Sequence, residues 1–128
     1  MNHPLLYGDI TEKVIGVAFR VHNSLGKGLS EKVYEQAMMN AIRDLGLPVE
    51  HQKALPVFFD NKKVGEQIVD LLVDNKVILE LKAVQQLSKD HHSQLLGYLK
   101  NTQFEVGLLI NFGDRVQFKR LIYTTQHK

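Results

Sequence analysis

Apolar residues recur at helical spacing twice before Pro48 and once more around Leu95, and elsewhere they gather in short runs bounded by turn residues. Ile10, Val14, Val17, Ala18, Val21 and Leu25 follow one another at steps of three and four, the stripe of an amphipathic helix. Asp9 and Glu12 have the spacing of a capping box, so this helix is expected to begin after Asp9. Gly26, which tolerates left-handed backbone, is expected to end it. Ser30 can cap a second helix, in which Val33, Ala37, Met38, Ala41 and Leu45 repeat the spacing until Gly46. Beyond Pro48 the pattern becomes extended. Ala54 to Phe59, Val64 to Val73 and Lys76 to Val84 read as strands, separated by the turns Asp60-Asn61-Lys62-Lys63 and Asp74-Asn75. Ser88 is the expected cap of a third helix reaching about Lys100, with Leu95, Leu96 and Leu99 as its apolar side. Val106 to Phe112 and Val116 to Tyr123 are two last strands around Gly113-Asp114. The order ααβββαββ predicts an α/β fold, a mixed sheet with helices packed on its faces.

The chain's 128 residues suit a single domain over 1–128, and 44% hydrophobic with 23% charged residues argues against disorder. No apolar run approaches the ~18 residues of a membrane-spanning helix, so no membrane partner is expected. The opening residues Met1 to Asp9 lack a basic stretch followed by an apolar one, so no secretory leader is expected. The absence of cysteine excludes disulfides, thiolate zinc sites and thiol catalysis, and it fits a reducing, cytoplasmic setting. A net charge of +2 and a pI near 8.8 permit a nucleic-acid partner without requiring one. Function must therefore come from placed residues.

Two carboxylates stand out. Glu80 follows Val77-Ile78-Leu79 in a strand expected to be covered on both sides, and Asp70 lies between Ile68-Val69 and Leu71-Leu72-Val73. A carboxylate in such a place is costly unless it is paired, hydrogen-bonded or holding a metal. If the hairpin pivots on Asn75, residues whose numbers sum to 150 face each other, and Asp70 lies opposite Glu80. Like charges so placed call for something positive nearby, and Lys82, two residues past Glu80, shares its face. From spacing alone this is either a structural ion network or a site for a hard divalent cation.

Asp70 with Glu80-Leu81-Lys82 resembles the D…ExK core of the PD-(D/E)xK nuclease superfamily. Gly28-Leu29-Ser30-Glu31-Lys32-Val33-Tyr34 is similar to the signature of its GxxExxY family, and the likeness continues through the segments D-L-L-V, Q-L-L-G-Y-L-K and G-L-L-I-N-F. The chain departs from the pattern at Lys27, where a proline is expected, and before Asp70, where the motif's proline is missing. The resemblance implies a restriction-endonuclease-like mixed β-sheet flanked by α-helices. It also implies Mg2+ (or Mn2+) held by Asp70, Glu80 and the Leu81 carbonyl, with Glu31 completing the site. Lys82 would act on the attacking water or the developing charge.

Gln94 and Tyr98, one helical turn apart, resemble a Q-x-x-x-Y motif that positions a strand in exonuclease-like branches. Tyr34 and His91 are further candidates for substrate contact, whereas Glu35 and His92 read as surface residues. Lys89, Lys100, Lys119 and Arg120 read as scattered surface bases. The implied activity is metal-dependent phosphodiester hydrolysis of nucleic acid, DNA before RNA. The alternative is a catalytically inactive module of the same fold that binds nucleic acid or protein. A homodimer would help so small a domain cover its substrate.

Overall fold

Helix α1 spans Gly8–Leu25 and α2 spans Glu31–Asp44 in the computed structural model, which describes residues 5–128; residues 1–4, on which part of the leader reading rests, lie outside the described residues. The two helices lay one apolar stripe on one face of a sheet: Val14, Val17, Ala18, Tyr34, Met38 and Ile42 pack with Leu71, Leu79, Leu81, Leu108 and Ile110. Among the described residues no helix is long and apolar enough to cross a membrane.

Helix boundaries follow backbone freedom more closely than side-chain caps. Gly26, at φ 74°, ends α1 as expected, and its N–H donates to the His22 carbonyl. The capping box at the start of α1 does not form. Tyr7 is the cap residue, in a left-handed conformation, and Asp9 already lies inside the first turn. From there Asp9 favours the helix only through the positive end of its dipole. Ser30 caps α2 by position, although its hydroxyl makes no cap hydrogen bond.

The sheet comprises β1 (Val49–Phe59), β2 (Lys62–Val73), β3 (Val77–Lys82), β4 (Val106–Phe112) and β5 (Val116–Ile122), in that spatial order. All neighbours are antiparallel except β3 and β4. A parallel pair needs a crossover, and α3 (Lys89–Asn101) supplies it on the opposite face of the sheet. There Leu95 and Leu99 pack with Leu72, Ile78, Leu109 and Leu121. Gly107 permits the close approach, since a Cβ at that position would lie 2.9 Å from a Leu95 methyl. The five-strand mixed sheet with flanking helices in the order ααβββαββ is the restriction-endonuclease-like architecture expected from the sequence.

The β2–β3 hairpin has the expected register: Leu71↔Leu79, Leu72↔Ile78 and Val73↔Val77. The start of β1 differs from expectation, at Val49 and not Ala54. The polar run Glu50-His51-Gln52-Lys53 carries no apolar alternation, so only pairing to Val73–Val69 of β2 reveals it as strand. Gln52, in the middle of that run, has φ 48°, and no ladder pair joins it to Asp70. The ribbon bends at this point. Leu71 belongs to the core under α1 and α2, whereas Val69, two residues earlier, belongs to the core under α3.

Candidate active site

The site lies where β2 and β3 stop pairing. One step beyond Leu71↔Leu79 the ladder ends, and side chains replace it. The Asp70 N–H donates to Glu80 Oε1 at 3.2 Å, and the Leu81 N–H donates to Asp70 Oδ2 at 2.8 Å. Each carboxylate thus accepts a backbone amide of the opposite strand. The two acids meet without a direct bond between them.

Their surroundings disfavour charge. Burial pushes the Glu80 carboxyl up to about 8, and the charge of Asp70 adds to the effect; the Asp70 amide and Lys82 pull the other way. Burial also raises Asp70, with Glu35 contributing, against the Leu81 amide, Gln52 and Lys82. Both carboxyls are thus held above the usual carboxylate range, Glu80 the more strongly, and Glu80 is only 5% exposed. Lys82 lies on the same face of β3 as Glu80. Among the described residues its ammonium makes no ion pair within 4.0 Å, which leaves it available.

A third acid joins from α2, and it is not the one expected. Glu31 is exposed in the first turn, whereas Glu35, one turn later, is buried and acts electrostatically on both Asp70 and Glu80. Glu35 Oε1 accepts from Gln52 Nε2 at 2.6 Å and pairs with His51 Nε2 at 2.5 Å. Gln52 Nε2 also reaches Asp70 Oδ1 at 3.4 Å, so one amide ties two acids on different elements. The helical pattern contained the signal for Glu35. It falls beside Tyr34 and three and four residues before Met38 and Met39, all buried. No sequence rule singles out Gln52, whose left-handed backbone arises from the bend.

On the α3 side, Tyr98 is half-buried, and its phenol is raised by burial first and then by the charges of Glu80 and Asp70. Gln94, one turn earlier, is exposed on the same helix. Two expectations about substrate contact change. Tyr34 is fully buried: its ring stacks on Phe112 at 4.5 Å, its hydroxyl donates to the Gly26 carbonyl at 2.6 Å, and it accepts from the Leu29 N–H at 3.3 Å. No part of it remains for a substrate, and it holds the Gly26–Leu29 loop. His91 is the partner of Ser88 in a capping box, its Nδ1 accepting from the Ser88 N–H at 3.1 Å, so one ring nitrogen is committed to the start of α3.

The donor set suits a hard cation. Among the described residues no three His, Asp or Glu side chains close on one point as a ready cage. What is present is a pair of carboxylates that burial and each other's charge disfavour, with a strand backbone between them, the kind of oxygen donors magnesium uses while keeping part of its hydration. Glu80 Oε2 has no protein hydrogen-bond partner among the described residues and is not sealed from solvent.

Residues 8–121 match the PD-(D/E)XK nuclease superfamily, nearly the whole chain. The chain belongs to that superfamily. PD-(D/E)XK nucleases generally use divalent metal ions. No curated protein matches the chain significantly. Among solved structures, this PD-(D/E)XK chain is similar to SSO0001, with a TM-score of 0.50 and 16% identity over 90% of its length; it spans 66% of SSO0001, just under two thirds. It is also similar to an alkaline exonuclease (LHK-Exo) from Laribacter hongkongensis, with a TM-score of 0.41 and 11% identity over 91% of this chain and 84% of that one. The first likeness bears on the fold alone.

Proposed function

We propose that the protein is a metal-dependent nuclease of the GxxExxY branch, hydrolysing phosphodiester bonds of nucleic acid, with DNA preferred over RNA and a cytoplasmic location. The observation that carries this reading is the exchange of strand amides between Asp70 and Glu80, with a free Lys82 beside them. Asp70, Glu80 and the Leu81 carbonyl would hold Mg2+ or Mn2+, and Glu35 takes the supporting role first expected of Glu31. When bound, the ion supplies a Lewis acid that lowers the pKa of water and offsets charge developing on the phosphate.

The chain's own groups do the rest. Lys82 places an ammonium where the phosphate gains negative charge, or donates to the incoming water to orient it. Tyr98 and Gln94 offer an uncharged phenol and amide to hold the strand against the acids. Gln52 keeps Glu35 and Asp70 at a fixed separation.

Calorimetric titration with Mg2+ and Mn2+ tests the first step. Binding by the wild-type chain, lost in Asp70→Asn and Glu80→Gln with the fold intact, is the expected result. Equal indifference of all three proteins at millimolar ion would favour the inactive binding module. Cleavage of single-stranded, duplex and branched DNA and of RNA then tests the chemistry. Lys82→Ala is expected to lower the rate by about a hundredfold or more while leaving ion binding in place.

A further inference from the structure

A second cluster of polar groups lies across α3 from the acids. Lys89, His92 and Ser93 of α3 and Ser88 at its cap face Lys119 of β5 over a groove of about 350 Å3, with Leu87 beside them. Lys89 and Lys119 are 30 positions apart in sequence and meet only because α3 packs over β4 and β5. No carboxylate lines the groove. Among the described residues neither lysine makes an ion pair, and both are exposed. The Ser88 hydroxyl accepts from the His91 N–H and keeps its own proton to donate, and Ser93 makes no hydrogen bond among the described residues. Every polar side chain in the groove can donate a hydrogen bond.

Helix geometry relates this groove to the site. At about 100° per residue, Lys89, His92 and Ser93 project from the side of α3 roughly opposite Tyr98, with the buried Leu95 and Leu99 between them against the sheet. The acids flank one side of the helix and the bases the other. An α-helix with its side chains is about 10–12 Å across, and at about 1.5 Å per residue Tyr98 lies about 8–14 Å further along α3 than Ser93 and Lys89. A nucleic-acid strand rising about 3.4 Å per nucleotide covers the combined distance in roughly four to five nucleotides.

We propose that this groove binds backbone phosphates of the nucleic-acid strand, about four to five nucleotides from the bond presented to Asp70 and Glu80, and that α3 is the surface over which the strand is laid. The inference rests on the nuclease reading for its ligand but concerns binding, which can be measured without cleavage. Phosphate contacts of this kind set register and affinity and leave sequence unread.

The test is fluorescence anisotropy with labelled single-stranded and duplex DNA oligonucleotides, without divalent ion, across a salt series. Lys89→Ala/Lys119→Ala is expected to bind about tenfold or more weakly than wild type and to lower the salt slope on duplex by about two. Lys13→Ala/Lys62→Ala removes the same charge at remote exposed positions and is expected to match wild type within about twofold. Equal losses in the two double variants, or none in the first, would overturn the groove. DNA binding through the groove by a chain that takes up no divalent ion and cleaves nothing would instead overturn the nuclease reading and leave the groove standing. Failure of the wild type to bind either oligonucleotide at low salt would overturn the groove, and the nuclease reading would then be decided by the ion titration and cleavage assays alone.

Discussion

Glu80 concentrates the physics of the molecule at one residue. Its carboxyl is raised from an ordinary 4.5 to about 8 by burial and by Asp70, so in the folded chain the protonated form is the favoured one. The unfolded chain releases that proton near the ordinary 4.5, which means Glu80 contributes stability fully below that pH and loses it as pH rises through about 8. Thermal unfolding in chelator is therefore expected to show stability falling from weakly acid to weakly alkaline pH, by on the order of a few kcal/mol. Glu80→Gln keeps an oxygen for the Asp70 amide and should flatten that slope. Gln52 invites a complementary experiment. Gln52→Gly relieves the left-handed backbone and removes both amide contacts, so unfolding is expected to change little while Mn2+ affinity falls about tenfold. At this scale the sequence revealed the acids Asp70 and Glu80 and the base Lys82, because a charge in an apolar run is conspicuous. Gln52 and His51 were hidden because a bend in a polar strand leaves no periodic trace.

Among the elements, α2 and the loop before it illustrate how a signature residue can serve the fold. Tyr34 locks the Gly26–Leu29 loop through two hydrogen bonds, and Lys27 of that loop pairs with Asp114 at 3.0 Å. Tyr34→Phe is expected to lower stability by about 1–2 kcal/mol in denaturant titration, with no change in KM for a cleaved oligonucleotide. Ser88→Ala breaks the capping box that orients α3 and is expected to cost about 1 kcal/mol. The helices were legible from their apolar stripes, and the β2–β3 register from the turn at Asn75. The first cap was misread because Asp9-x-x-Glu12 fits the start of a helix equally well one or two residues inside it. The early part of β1 was missed because an edge strand needs only its neighbour's hydrogen bonds, not buried side chains.

For the whole molecule, the parallel pair β3–β4 sets the layout. Its crossover carries α3 over one face, while α1 and α2 cover the other, and the acids sit at the seam between β2 and β3. A divalent ion bound there is expected to raise the melting temperature of the wild type and to leave that of Glu80→Gln unmoved. The exchange of amides at that seam has one more consequence. Where two strands should be sewn by their own backbones, the stitches are carboxylates, so the groups assigned to chemistry also close the sheet. Truncating either acid to alanine would open the seam and abolish chelation together, whereas the amide counterparts Asp70→Asn and Glu80→Gln keep an acceptor in place. Such a chain cannot lose these acids to drift without loosening its own weave.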